Sequence, residues 1–311
     1  MSALSCAAAV ALSAPIVVFL HARPEHSRRC LDSLAANPEF AASPLYLFCD
    51  GARDERSLAR VEAVRRMARR LEHPRKQVIE SPVNRGLAAS VIDGVGRVLA
   101  RHGRVIVVED DLVLGRGFLR YMNDALERYH DHERVMQVSG HMWPVEPEHD
   151  GHDALFLPVA NSWGWATWSR AWRHFDPDMR EMARLERLPE LRRRFDVGGA
   201  CPYFEYLRRQ RAGRADSWFV RWYLSLFMRD GLVLYPRRSL VRNLGFDGTG
   251  VHCGAGGSPY DGPGTPHDHP PLRLPEPRAH LPALAQVSDF LARHNTFGAR
   301  LRRRMRGLLA R

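Results

Sequence analysis

Lysine is nearly missing from this chain: of its 46 basic residues, only Lys76 is not arginine. Cysteine is scarce as well. Cys6, Cys30, Cys49, Cys201 and Cys253 are scattered, with no C-x-x-C pair, which excludes a zinc module and a disulfide-framed scaffold. An odd number of isolated thiols suits a reducing, cytoplasmic setting. Long apolar runs are absent too, since no stretch approaches the ~20 residues that cross a bilayer. The first residues are apolar and Ala-rich, and Ala11-Leu12-Ser13-Ala14 imitates a signal cleavage site, yet no basic segment precedes them. Residues 1–14 read instead as a loosely ordered leader.

What remains is a globular composition. Over 311 residues, 45% are hydrophobic and 26% charged, ample for a substantial core. The formal charge is 46 − 35 = +11 with His neutral, which favours anionic partners such as phosphorylated ligands, acidic membrane surfaces or nucleic acid. Nucleic acid finds no further support, because helix-turn-helix, zinc and base-stacking signatures are all missing.

Strand and helix periods alternate through the first half. Residues 15–21, 45–49, 76–80 and 104–108 read as strands; residues 24–36, 54–71, 87–101 and 118–129 read as helices. That βαβα order predicts an α/β fold with a mostly parallel sheet covered on both faces. The second half is less regular. Strands are expected at 135–139, 154–159 and 232–235, and helices within 185–213 and 218–229. Gly and Pro crowd residues 254–271, which read as a flexible loop, and helix resumes near residue 281.

Residues 104–112, RVIVVEDDL, carry the strongest signal. Val105 to Val108 are apolar on both faces, as in a buried parallel strand, and Glu109, Asp110 and Asp111 follow at once. Three such carboxylates repel one another unless a cation or hydrogen-bond donors hold them. Open α/β sheets bind ligands at that strand end, and a hard divalent ion sharing carboxylate and phosphate oxygens fits the chemistry. Asp111 is the leading metal-ligand candidate, Asp110 can accept from a ribose hydroxyl, and Glu109 can orient the loop. An acidic, solvated turn is the plainer alternative.

Four segments, in order, resemble GT-A fold glycosyltransferases of the N-acetylglucosaminyltransferase I type and their bacterial family-2-like relatives. They are the first βα turn and helix beginning Arg23-Pro24-Glu25-His26, then Phe48-Cys49-Asp50-Gly51, then Val107 to Leu112, and Gly164-Trp165-Ala166-Thr167-Trp168. The resemblance covers about residues 15–252. It implies a Rossmann-like GT-A domain there, with a nucleotide-binding half (15–135) and a smaller acceptor half (136–252). Residues 253–271 would then be a flexible loop and 272–311 a basic helical tail. The implied activity is metal-dependent, inverting transfer of a sugar from a UDP-sugar to an acceptor hydroxyl. Synthesis of cell-envelope or extracellular polysaccharide or glycoconjugate is the setting it suggests.

By the same resemblance, Arg23 contacts the nucleotide, Asp50 reads the uracil and the acidic triplet is a form of the DxD metal motif. His252 completes the metal shell, and Asp216, opening DSWFVRW, is the catalytic base. Mixed His and carboxylate ligation suits Mn²⁺, with Mg²⁺ the other choice. Chemistry offers plainer readings beside these. Asp50 can close an Asp-Gly turn, Arg23 can cap a surface turn, and Asp216 can be a helix N-cap, with Glu205 the fallback base. Asn84-Arg85-Gly86 opens a helix whose N–H groups suit a phosphate. Residues 161–172 hold four of the seven tryptophans. Trp163 or Trp165 is expected beside the sugar, while Trp168 and Trp172, four apart, face the core.

Residues 300–311 contain six arginines among Leu301, Met305, Leu308 and Leu309. Either they form a solvated helix, or they dock peripherally on an anionic inner membrane face carrying a lipid-linked acceptor. A nucleotidyltransferase can share this architecture, but its Gly-rich phosphate loop is missing: after Val18 the chain offers only His21-Ala22-Arg23-Pro24.

Overall fold

The computed structural model describes residues 13–247, 260, 262 and 265–295. Three βα units and a fourth strand open the fold. Strands β1 (Ile16–Leu20), β2 (Leu45–Cys49), β3 (Lys76–Glu80) and β4 (Arg104–Glu109) alternate with helices α1 (Pro24–Ala35), α2 (Glu55–Arg70) and α3 (Leu87–His102). Punctuation in the sequence sets their ends. Pro24 stands in the first turn of α1, where its missing N–H costs nothing. Asp54 and Ser57 form a reciprocal capping box at α2, and Gly103 ends α3 in the left-handed region.

The chain continues through β5 (Leu112–Leu114), α4 (Phe118–Arg128), β6 (Val135–Ser139), β7 (Ala154–Leu157) and β8 (Trp165–Trp168). Five short helices follow: α5 (Ser169–Trp172), α6 (Met182–Arg187), α7 (Pro189–Phe195), α8 (Tyr203–Arg211) and α9 (Trp218–Phe227). Strands β9 (Leu232–Pro236) and β10 (Val241–Asn243) then precede helix α10 (Leu281–Asn295). Eight strands form one sheet in the order β3-β2-β1-β4-β8-β6-β9-β7, while β10 and β5 pair as a separate antiparallel ribbon. Strands β3, β2, β1 and β4 are mutually parallel. The expected architecture is therefore present: a mostly parallel sheet of the GT-A, Rossmann-like kind, flanked by helices and followed by a C-terminal helical extension.

Val105 to Val108 are fully buried, as their composition requires. One neighbour of β4 differs from expectation, however. It is parallel to β1 but antiparallel to β8. Two cores sandwich the sheet, with Val105, Val107 and Trp165 in one and Ile106, Val108 and Trp168 in the other. Trp168 and Trp172 are both buried but lie in different cores. A strand, not one helical face, carries the first of them. Residues Ala283, Val287, Phe290 and Leu291 of α10 join the same core as Trp165, so the segment read as a tail packs on the sheet as far as residue 295. The basic stretch 300–311 and the leader's residues 1–12 lie outside the described residues. No helix among the described residues is long and apolar enough to cross a membrane.

Candidate active site

The strand order 3-2-1-4 places a topological switch point between β1 and β4, where successive connections leave in opposite directions, the place at which open α/β sheets commonly bind ligands. Arg23 follows β1 and the acidic triplet follows β4, so the two meet at that point. Arg23 occupies the N-cap position of α1 without capping it. Its guanidinium donates instead to Asp110 Oδ1, and to Asp111 Oδ2 at 3.2 Å. The backbone N–H of His21 donates to Asp110 Oδ2 at 3.3 Å. From the far side, the Leu244 N–H donates to the Asp111 carbonyl at 2.8 Å. That bond brings Gly245 so close that an added Cβ would lie 2.5 Å from Asp111 Oδ2. Gly245→Ala is expected to displace the Asp111 carboxylate with little loss of stability, because the added methyl overlaps only that side chain's end and the Asn243 amide oxygen. A crystal structure of the variant beside thermal melts would check this.

Electrostatics set the charge state of the cluster. Burial pushes Glu109 up to about 8, and Asp111 and Asp110 add to the effect; Arg23 and a hydrogen bond from Trp218 only partly oppose it. Burial likewise raises Asp111 above the usual carboxylate range, with Arg23 pulling back. For Arg23, burial favours the neutral form, but the charges of Asp110 and Asp111 outweigh it and hold the proton more firmly. One guanidinium thus faces the two aspartates, with Glu109 held largely in its neutral form beside them.

Asp50 sits at the end of β2 with its carboxylate engaged by four N–H donors. Gly51 N and Arg85 N donate to Oδ1 at 2.9 Å each, while Gly86 N at 2.9 Å and Asn84 Nδ2 at 3.2 Å donate to Oδ2. It fastens the loop that starts α3. Asn84 also donates to the Gly51 carbonyl at 2.9 Å. The Arg85 guanidinium turns outward to Asp93 at 3.0 Å, away from Asp50.

Trp163 is half-buried on the rim, edge-on to His141 at 4.4 Å and to Phe246 and Tyr260 at 5.8 Å. Trp165 differs from expectation. It is fully buried, stacked on Trp218 at 5.0 Å, and offers no face to a sugar. Among the described residues, its indole N–H has no hydrogen-bond partner. Trp165→Phe should therefore alter stability by only about 1 kcal/mol, because the lost volume is offset by removing an unsatisfied hydrogen-bond donor. Paired thermal melts of the two proteins would check it.

His141 and Asn161 belong to the same rim, although sequence reading did not single them out. The Trp163 N–H donates to Asn161 Oδ1 at 2.9 Å, so Asn161 Nδ2 must donate to His141 Nδ1 at 3.0 Å. His141 then donates from Nε2 to the Tyr260 carbonyl. Burial pulls this imidazole down to about 4, and it stays neutral. The available signal was position: His141 follows β6 much as His21 follows β1.

Asp216 is exposed at the start of α9. Ser217, not Asp216, is the cap, accepting from the Val220 N–H at 3.4 Å. Asp216 Oδ1 is held by Arg221 at 2.9 Å, and Oδ2 lies about one van der Waals contact from the Gly86 position, at 4.0 Å from an ideal Cβ there. Asp216 thus stands near the loop that Asp50 anchors. Glu205 points elsewhere, pairing with Arg208 at 3.1 Å on α8. His252 lies outside the described residues.

No family model matches this chain, and no curated protein matches it. Solved structures overlap it partially, two of them as follows. The mannosyltransferase PcManGT from Pyrobaculum calidifontis, in complex with GDP-Man and Mn²⁺, is 16% identical with a TM-score of 0.38, over 52% of this chain and 46% of that one. S. aureus TarS 1-349 is 14% identical with a TM-score of 0.34, over 51% and 48%. The chain spans about half the length of each. Overlap this loose carries no weight for activity.

Whether the site suits a divalent ion rests on its donors. Among the described residues, no three His, Cys, Asp or Glu side chains converge as a ready-made metal cage. An ion of the Mg²⁺ kind needs only one or two carboxylates, keeping water and ligand phosphates for its other positions. Asp111, short of counter-charge, fits that lesser demand, and the Arg23 contact is the one an arriving ion would loosen.

Proposed function

We propose that this chain is a glycosyltransferase that moves a sugar from a nucleotide-sugar donor, a UDP-sugar, to the hydroxyl of a glycan or lipid-linked acceptor, with inversion. The observation that carries this reading is Arg23 facing Asp110 and Asp111 across the switch point between β1 and β4. A crevice with guanidinium on one lip and carboxylates on the other matches a sugar nucleotide, which presents both a diphosphate and ribose hydroxyls.

Within that reading, Arg23 takes the diphosphate and Asp110 accepts from the ribose. Asp50 and Asn84 shape the nucleobase pocket, Asp50 acting chiefly through the loop it holds, and Trp163 borders the sugar. Glu109, braced by Trp218, keeps the turn in place. Asp111, with His252, would hold a Mn²⁺ or Mg²⁺ ion, which when bound neutralises charge developing on the leaving diphosphate. Asp216, steadied through Oδ1 by Arg221, takes the acceptor proton through its other oxygen as the glycosidic bond forms. Peripheral docking of residues 300–311 on an anionic membrane, where a lipid-linked acceptor would lie, belongs to the same proposal. So do a cytoplasmic site of action and a role in cell-envelope or extracellular polysaccharide synthesis.

A thermal-shift panel of nucleotide sugars with and without Mn²⁺ tests it. A donor at 100 times its Kd adds about 2.7 kcal/mol to apparent stability, a shift of several degrees. A UDP-sugar should raise the melting temperature, and more with Mn²⁺ than without. A flat panel would remove the nucleotide-sugar reading.

A further inference from the structure

A continuous chain of hydrogen bonds runs through the core from helix α9 to the rim at Trp163. The Trp222 indole N–H donates to Gln137 Oε1 at 2.8 Å, and the Gln137 amide donates to the Asn161 carbonyl. Asn161 Oδ1 accepts from the Trp163 backbone N–H at 2.9 Å, while Asn161 Nδ2 donates to His141 Nδ1 at 3.0 Å. His141 Nε2 then donates to the Tyr260 carbonyl at 3.2 Å. These directions are forced. An indole N–H and a backbone N–H can only donate, so each amide has one orientation and the imidazole one tautomer. Trp222, Gln137, Asn161 and His141 are buried, whereas Trp163 is half-buried.

A buried polar chain is costly unless every member is satisfied, and a satisfied one specifies a single arrangement. Here that arrangement is the placement of Trp163. Asn161 holds its backbone on one side. On the other, Gly164 takes φ +58° and accepts from the Gly140 N–H at 2.7 Å, which fixes the turn into β8. His141 meets the indole edge-on, with ring centroids 4.4 Å apart. The imidazole that Asn161 orients therefore also limits rotation of the ring. Phe246 meets the same indole at 5.8 Å, and it follows Gly245, the residue packed against Asp111. Trp163 is thus joined to the acidic turn through one ring and one glycine.

We propose that Asn161 and His141 are positioning residues for the donor, holding the Trp163 indole as a fixed wall of the sugar site beside Asp111. Both act through Trp163. That the ring walls a sugar site rests on the glycosyl-transfer reading; that Asn161 and His141 hold the ring does not.

Two measurements on the full chain test this. The first needs no ligand: fluorine NMR of protein labelled with fluorotryptophan, where Trp163→Phe identifies the Trp163 signal among seven. Asn161→Leu and His141→Phe should each broaden or split that signal. Thr167→Val, which removes a buried hydrogen bond to the Met136 carbonyl in the same sheet, should leave it single and narrow. A single narrow Trp163 signal in both rim variants overturns the proposal. The second is calorimetric titration with UDP, UDP-glucose and UDP-N-acetylglucosamine, each with Mn²⁺. The two rim variants and Trp163→Ala should weaken the tighter UDP-sugar about tenfold, the order of one well-placed aromatic contact, and leave UDP unchanged. Thr167→Val should change neither. Equal weakening of UDP and the UDP-sugar, weakening of neither, or binding of UDP alone overturns the sugar wall. A wild type that binds none of the three counts against the glycosyl-transfer reading and removes the sugar wall with it, while the fluorine spectra still decide whether Asn161 and His141 hold Trp163.

Discussion

Asp216→Asn is expected to lower kcat by about 10²–10⁴-fold, the usual contribution of a positioned general base, while leaving donor affinity and the melting temperature near wild type. The expectation rests on what Asp216 does not do. Ser217 caps α9, so the Asp216 carboxylate is not needed to hold the helix, and exposure spares it a desolvation cost. Asparagine keeps the shape and can still accept from Arg221, but it cannot take a proton. Pre-steady-state measurement would separate the chemical step from product release. Wild-type turnover in this variant would move the base elsewhere, and a collapse in stability would make the residue structural.

Arg23→Met should produce the largest loss of stability, about 3–5 kcal/mol, because removing one partner of a buried ion pair leaves charge uncompensated. The pH dependence follows from the raised carboxyl groups. Burial already lifts Glu109 to about 8 and raises Asp111, and without Arg23 both move further up. A carboxyl whose folded pKa exceeds its unfolded value weakens the fold above that folded pKa; the penalty fades as pH falls through it and vanishes below the unfolded value. The variant should therefore be least stable near pH 8 and beyond, and recover toward pH 5. Mn²⁺ should restore part of the loss at pH 8, since an ion can supply the missing charge. Chemical denaturation at pH 5 and 8, with and without Mn²⁺, reads all three effects. An unaltered, pH-flat stability would mean that the acids tolerate one another without Arg23.

The first half of the fold was legible because local signals agree with tertiary need. β2 and β3 lie at the expected residues, and Pro24 and Asp54 mark helix starts by chemistry that operates within a few residues. β5, β8 and β10 were not foreseen. Each has three or four residues, too few for a period, and each exists through a partner distant in sequence, as when Leu112 meets Asn243. Trp165 shows a related gap. Four tryptophans in twelve residues resemble a sugar platform, yet alternation along β8 turns Trp165 and Trp168 into opposite cores. At the site, the acidic triplet was visible because a buried valine run ending in carboxylates is electrostatically costly. Its contact with Arg23, eighty-seven residues away, emerged only once strand order brought β1 and β4 together. Nothing local distinguished Ser217 from Asp216 as the cap, since both residue types serve.

Crystals of the full chain grown with UDP and Mn²⁺, measured at a wavelength where manganese scatters anomalously, would address the account's core most directly. The expected result is an anomalous peak within bonding distance of the Asp111 carboxylate, next to the diphosphate, with Arg23 drawn from Asp111 toward the phosphates. Ordered UDP in the crevice with no such peak, and Arg23 still joining Asp110 to Asp111, would contradict it.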